Sequence, residues 1–521
     1  MATVVKASLA EFYVFDPRLG QKEGQEDEAI LYYYPHSLPL HHKTRNVGLS
    51  QAFIQFAKTF AKETSPLTSA HTQKHRAAYL NPEGEYWMVL LVRNPYHVVE
   101  SKSGGEDGGG CTEYVYHTHE LSDEGLATMI RQVYAMFRLF NSSFSRLVDV
   151  YSLDVLRAKL DFFLTPYITS VDFGDLDVFH TLAGIHYLPI DKNLYLRIHC
   201  FINALEEAFP PIASSVFLFN DHLVYSGLPP VDMRILYKYL LDNLAVGSPA
   251  VALSKTPRVH PMASAKASHA GPALPEGFLT GPVSMADPDS PINAPHVFVG
   301  DNDEEHFLLI YHAHGAVLLL LLRTDDPEIL KKLDLYLALE RELKPQIPVL
   351  VSAILGVAPD RAYGYALSGG SMAPAPPSSS GTSPSASYAA SVAAASAAAA
   401  ASAAAAAAAA AARSSSSTDT DSSYGYFNSM NHALKSSLPA ASALSPTFRT
   451  LLWSIRDDLD SHPESITEID IKADPEGWVT GRKSDSRELY VFFDAKKANL
   501  IEVSQEISRI SRSTFSNVFI E

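Results

Sequence analysis

Between Ser368 and Ser423 the chain carries no Leu, Ile, Phe or Trp, and its only charges there are Arg413, Asp419 and Asp421. A stretch so poor in apolar side chains cannot offset its ordering entropy by burial, so it reads as a linker, with globular units on either side. The alanine run from 403 to 412 favours helix but offers no face to pack. Deleting Ser368–Ser423 is therefore expected to move thermal stability little, because loop closure depends weakly on length. A second break, about 245–275, mixes Pro, Ser, Ala and Gly and reads as a long loop inside a domain. The expected division is 1–167, 168–362 with that internal loop, a linker over 363–423, and 424–521.

Outside the linker the material is globular. Of 521 residues, 46% are hydrophobic and 19% charged, and the length exceeds what one core usually serves. The net charge of −17 repels phosphate backbones and argues against nucleic acid as a partner. Cys111 and Cys200 have no second thiol at metal spacing, which argues against a disulfide framework or zinc site and favours a reducing cytosol. The start MATVVKASLAEFYVF lacks the features of a signal peptide. The apolar run His306–Leu322 is broken by His312, His314 and Gly315 and falls short of the ~20 residues of a spanning helix. The expectation is a soluble chain whose membrane contact is peripheral.

Alternation and turn residues predict strands at 9–15 and 30–34, and a helix whose stripe is Leu49, Phe53, Phe56 and Phe60. Further strands are expected at 70–80, 86–92 and, more weakly, 113–117. Two helices close the first unit. One carries Leu126, Ile130, Val133, Phe137 and Phe140 behind Ser122, and the other runs from 153 to 164, stopped by Pro166. The middle unit repeats these ingredients: an Asp191-capped helix, a hairpin about Asn220 and Asp221, a helix from Asp232, a hairpin on His314 and Gly315, and a helix over about 327–343. The last unit reads as a helix near 446–458, strands at 466–471, 478–482 and 488–493, and a helix with Leu500, Val503, Ile507 and Ile510 in register. Leu489, Val491 and Phe493 fill one face of the 488–493 strand and Tyr490 and Phe492 the other, so it is expected to be covered on both sides. The fold class is α+β: three antiparallel sheets flanked by helices.

Signatures of covalent chemistry are scarce. The glycines at 104, 105, 108, 109 and 110 are not followed by Gly-Lys-Ser/Thr, and neither G-x-S-x-G nor H-E-x-x-H occurs. His117 with His119, and His312 with His314, lack a third ligand at a telling spacing; Glu304, Glu305 and His306 read as a solvated cluster. No catalytic residue, metal or cofactor is therefore assigned. Arg482, Lys483, Arg487, Lys496 and Lys497 gather around one hairpin and are either a solvated face or an anionic-lipid contact. Lys43, Arg45 and Asn46 precede a helix and Trp87 opens a strand, so these four are candidates for a partner interface, with a core role as the alternative for Trp87.

Several longer runs carry a resemblance: FDPRLG at Phe15, KTRNVGL at Lys43, SAHTQK at Ser69, YWMVLLVRNP at Tyr86, LFNDHLVYSGL at Leu218, DMRILYKYL at Asp232, GFLTGP at Gly277 and GRKSDSRELYV at Gly481. Together they resemble the Ccz family of vacuolar fusion proteins, from Leu9 to Ile520 apart from the linker insert. The resemblance implies three longin domains, each a five-stranded antiparallel sheet between helices. It also implies a heterodimer with a Mon subunit, acting as a guanine-nucleotide exchange factor for a late-endosomal Rab GTPase in endosome maturation and in fusion with lysosomes and autophagosomes. The GTPase would dock on the first unit, where Lys43, Arg45, Asn46 and Trp87 are the expected contacts. An additional regulatory subunit and peripheral recruitment from the cytoplasm to membranes carrying phosphatidylinositol 3-phosphate belong to the same expectation. Exchange breaks no covalent bond, which agrees with the empty search for catalytic motifs. The alternative is a non-catalytic longin scaffold or tether in vesicle traffic.

Overall fold

The computed structural model describes the chain outside residues 1–3, 61–66, 102–110, 119, 174–175, 177, 245–274, 283–284, 286–291, 325–332, 358–421, 439–444, 463–464, 474–476, 494–498 and 515–521. The internal loop and nearly all of the expected linker thus lie outside the described residues, as do Lys496 and Lys497.

Strands β1 (Val4–Val5), β2 (Ser8–Phe15), β3 (Ile30–Tyr34), β4 (Ser69–His71), β5 (His75–Glu83), β6 (Tyr86–Arg93), β7 (Tyr96–Ser101) and β8 (Cys111–Tyr116) belong to the first unit. Five of them make an antiparallel sheet in the order β3-β2-β6-β5-β4, and β1, β7 and β8 make a small sheet of their own. The segment 70–80, expected as one strand, is the β4–β5 hairpin, turned at Thr72, whose amide donates to the His75 carbonyl at 2.8 Å. Because β6 is central, both of its faces are buried. Trp87 and Val89 pack with Val47 and Ile54 of helix α1 (Leu40–Phe60). Met88, Leu90 and Val92 share a core with helices α2 (Asp123–Asn141) and α4 (Leu153–Ser170), with α3 (Phe144–Val150) between them. Ser122 caps α2 as its position suggests, accepting from the Gly125 amide at 3.2 Å. Pro166 does not end α4, which continues to Ser170 with Tyr167 and Ile168 buried: apolar packing on this face outweighs the lost backbone hydrogen bond.

After α5 (Val178–Leu182) and α6 (Lys192–Ala208), the second sheet is built from β9 (Ile212–Phe219), β10 (His222–Ser226), β11 (Gly277–Phe278), β14 (His296–Val299), β15 (Glu304–Ala313) and β16 (Ala316–Arg323). Between β11 and β14 lies the small pair β12 (Gly281–Pro282) and β13 (Ile292–Asn293). Leu318, Leu320 and Leu322 of β16 meet α6 and α8 (Leu333–Val357), which runs through Pro345 and Pro348 beyond the expected end at 343. Val317, Leu319 and Leu321 meet α7 (Pro230–Leu244) and, continuous with it, the α2–α4 core of the first unit.

The third sheet contains β17 (Ser422–Asn428), β18 (Ala433–Ser436), β19 (Glu468–Ala473), β20 (Gly477–Ser484) and β21 (Arg487–Phe493), between α9 (Pro446–Ser461) and α10 (Leu500–Thr514). Two of these strands were not expected. The β17 strand begins two residues inside the supposed linker, Ser422 pairing with Phe493, so an excision that spares the sheet must stop before it. As the alternation of β21 implies, Tyr490 and Phe492 face α9 while Leu489, Val491 and Phe493 face α10.

Numbered within each unit, all three sheets run 2-1-5-4-3, with β11 added to β15 in the second. The units are joined by side chains and backbone. Arg138 of α2 donates to Asp303 at 2.6 Å, and the Ser142 hydroxyl and Ser143 amide reach the same carboxylate at 3.0 Å. Residues 185–188 form isolated bridges to β10 and β18 together: Ile185 exchanges backbone hydrogen bonds with His432 and Leu434, while Leu223 donates to His186 and accepts from Leu188. Phe179 of α5 lies against Gly425, where any Cβ would collide with its ring.

Candidate interaction surface

Helix α1 is held to its sheet by a short polar ladder. The Tyr13 and Ser50 hydroxyls are 2.7 Å apart, and Asn46 Nδ2 donates to Glu11 at 2.8 Å and to the Tyr33 hydroxyl at 3.1 Å, the latter also bonded to Glu11. Burial, then the Glu11 contact, raises the Tyr33 pKa, so the phenol stays a donor. Lys43 donates to the His36 carbonyl at 2.9 Å with its ammonium 5.6 Å from the Tyr33 ring centroid. Lys43 and Asn46 therefore secure the first turns of α1 instead of presenting free polar anchors.

The sheet beneath α1 is already filled by Tyr13, Tyr33 and Trp87, leaving room for Val47, Ser50 and Ile54 but not for a row of phenylalanines. At 100° per residue, Leu49, Phe53, Phe56 and Phe60 lie on the opposite side. The apolar stripe is therefore solvent-facing: Phe56 is 65% and Phe60 76% exposed, their rings 4.8 Å apart. Arg45, exposed and without an ion pair among the described residues, extends the same face one turn toward the N-terminus. The sequence shows the helix and its stripe, but periodicity identifies an apolar face without saying what covers it.

Trp87 is only 5% exposed and packs under α1, the position its core alternative describes. Trp87→Ala is expected to cost about 3–5 kcal/mol, read as an earlier unfolding transition of the chain without any partner present. In the third unit Arg482 is paired with Glu468 at 2.9 Å and Lys483 with Asp460, so carboxylates balance two charges of the expected lipid contact; Arg487 lies on the same hairpin. His117 stands 2.8 Å from His97, and among the described residues no three His, Cys, Asp or Glu side chains converge as metal ligands. None of the described helices is long and apolar enough to cross a membrane.

The surface that stands out among the described residues is thus an exposed aromatic helix face on a five-stranded sheet, and the sheet order recurs twice more. Family models agree with that architecture. Residues 9–142 match the first longin domain of INTU, CCZ1 and HPS4, 212–340 the second Intu longin-like domain, and 418–510 the third. The class is a triple longin-domain protein. Curated relatives extend the match to full length: a vacuolar fusion protein CCZ1 homolog of Xenopus tropicalis is 33% identical, covering 98% of this chain and 97% of the relative. Homologs of the same name from Danio rerio and Dictyostelium discoideum are 32% and 28% identical over 98% and 99% of the chain, covering 95% and 99% of their own lengths. The chain belongs to the CCZ1 family of vacuolar fusion proteins.

Proposed function

We propose that this chain is a trafficking regulator in vesicle fusion and works as one subunit of a heterodimeric guanine-nucleotide exchange factor for a late-endosomal Rab GTPase. Its partner is a Mon-type subunit, and the pair is recruited peripherally to phosphoinositide membranes. The observation carrying the reading is the α1 face: Leu49, Phe53, Phe56 and Phe60 form a row of exposed apolar side chains with Arg45 at one end. A contiguous exposed apolar surface of this kind is a mark of protein association, and clustered aromatics with an arginine are the usual energetic centre of such interfaces. A catalytic nucleophile is not required, since displacing a switch segment is a matter of differential binding to the nucleotide-free GTPase.

Release of a fluorescent guanine nucleotide from the Rab tests the proposal. The chain alone should leave the spontaneous rate unchanged, and chain plus Mon-type subunit should accelerate it. A complex that assembles on the Rab without accelerating release would favour the scaffold or tether reading instead.

A further inference from the structure

Where the three units meet, α7 presents two cations on one face. Arg234 and Lys238 are one turn apart, and helix α2 packs against them from the first unit. Lys238 Nζ donates to Gln132 Oε1 at 2.8 Å, a neutral acceptor, and Gln132 in turn donates to the Thr181 carbonyl. Asp242 lies one turn beyond Lys238, and Arg131 of α2 is already paired with Glu124 at 2.9 Å. From the third unit comes His432, whose backbone carbonyl accepts from the Ile185 amide at 2.7 Å.

Two buried atoms here have no hydrogen-bond partner among the described residues: Arg234 Nε and His432 Nδ1. Leaving a buried guanidinium N–H unmade is expensive, and such orphans in native proteins call for a bound ion or water. Electrostatics agree. Burial, then Arg131, lowers the Arg234 pKa; burial, then Arg234, lowers that of His432 to about 4; and Lys238 is lowered by burial against the opposing pull of Asp242. Among the described residues, Arg234 and Lys238 are two cations with Asp242 as the carboxylate acting on Lys238. Arg234 retains some solvent exposure, so the site is reachable.

We propose that this junction binds a phosphate-type oxyanion, held by Arg234 with Lys238 and His432 beside it, so that one ligand fastens the second unit to the third. Arginine suits the role because its planar fork bonds oxyanions in pairs. The anion could be free inorganic phosphate or a soluble inositol phosphate, and the experiment separates them.

The full chain, dialysed into chloride, is titrated with inorganic phosphate and separately with inositol hexakisphosphate, by calorimetry and by thermal melting at matched ionic strength. One saturable site per chain is expected for at least one of the two, with stabilisation beyond that of chloride; whichever anion binds more tightly identifies the source. Arg234→Gln should weaken binding about tenfold or more and, in chloride alone, should melt no lower than the parent, since it removes an unpaired buried cation. His432→Gln should weaken binding as well, and Arg341→Gln, on the exposed side of α8, should not. No saturable binding by the parent chain overturns the proposal, as does binding untouched by both junction variants.

Discussion

Phe56→Asp combined with Phe60→Asp is expected to weaken assembly with the Mon-type subunit by about a hundredfold or more while leaving the isolated chain's melting temperature nearly unchanged. Both rings are mostly in water in this chain, so the folded state loses little when they are replaced. In a heterodimer they would sit at the centre of the interface. A buried aromatic hot spot is worth about 2 kcal/mol or more, roughly a thirtyfold change in affinity for each, and a carboxylate there adds its own desolvation cost. Co-purification and sedimentation of the two subunits measure the effect. Arg45→Ala, at the end of the same stripe, should weaken assembly less. A double variant that pairs normally would remove α1 from the interface.

The second large effect is at the joint between the first two units. Asp303 is buried and accepts from Arg138 Nε at 2.6 Å, from the Ser142 hydroxyl at 3.0 Å and from the Ser143 amide at 3.0 Å. Arg138 also donates to the Gly300 carbonyl at 3.0 Å, and Arg146 to that of Asn302 at 2.9 Å, so this turn is gripped from both ends of the α2–α3 corner. Asp303→Ala leaves Arg138 Nε and the Ser142 and Ser143 donors without their acceptor; breaking a fully buried pair costs about 3–5 kcal/mol, and with Arg138 one-third exposed the loss should be about 2–3 kcal/mol. Because Asp303 has a φ of 51°, alanine adds backbone strain that asparagine would largely avoid, so Asp303→Asn should lose less. Denaturant unfolding of the three chains ranks them; an alanine variant as stable as the parent would contradict the assignment.

The same carboxyl predicts a pH dependence. Burial alone would push its pKa up, but the hydrogen bonds from Ser143, Arg138 and Ser142 outweigh it and hold the pKa below the ordinary value. A depressed folded pKa contributes stability that is complete above the unfolded value of about 3.9 and is lost as pH falls through the lower folded value. The stability gap between parent and Asp303→Asn should therefore narrow in acid and remain constant near neutrality.

What sequence reasoning could reach follows from how local each signal is. Strand β21 was legible because alternate residues are apolar on both faces, a pattern that only a covered central strand requires. Strand β17 was not, since SSYGYFN adjoins a serine-rich run and its tyrosines bury only by pairing with β21 more than sixty residues on. Pro166 misled because local propensity favours a stop, whereas Tyr167 and Ile168 have a core to enter. Lys43, Arg45 and Asn46 were singled out as a group, and three-dimensional contacts divide them: two secure α1, and Arg45 joins the exposed stripe. The Arg234 junction draws on residues 131, 234 and 432 of three different units and leaves no trace in any short window.

Nucleotide release by the Rab across a concentration series of the Mon-type subunit tests the central claim most directly. The parent chain should reach its full rate at low partner concentration. The Phe56→Asp, Phe60→Asp chain should need at least about a hundredfold more partner and then approach the same maximum, because the lesion lies in assembly and not in the exchange step. Release by either chain without the partner, or parent-like release by the double variant at the parent's partner concentration, would contradict it.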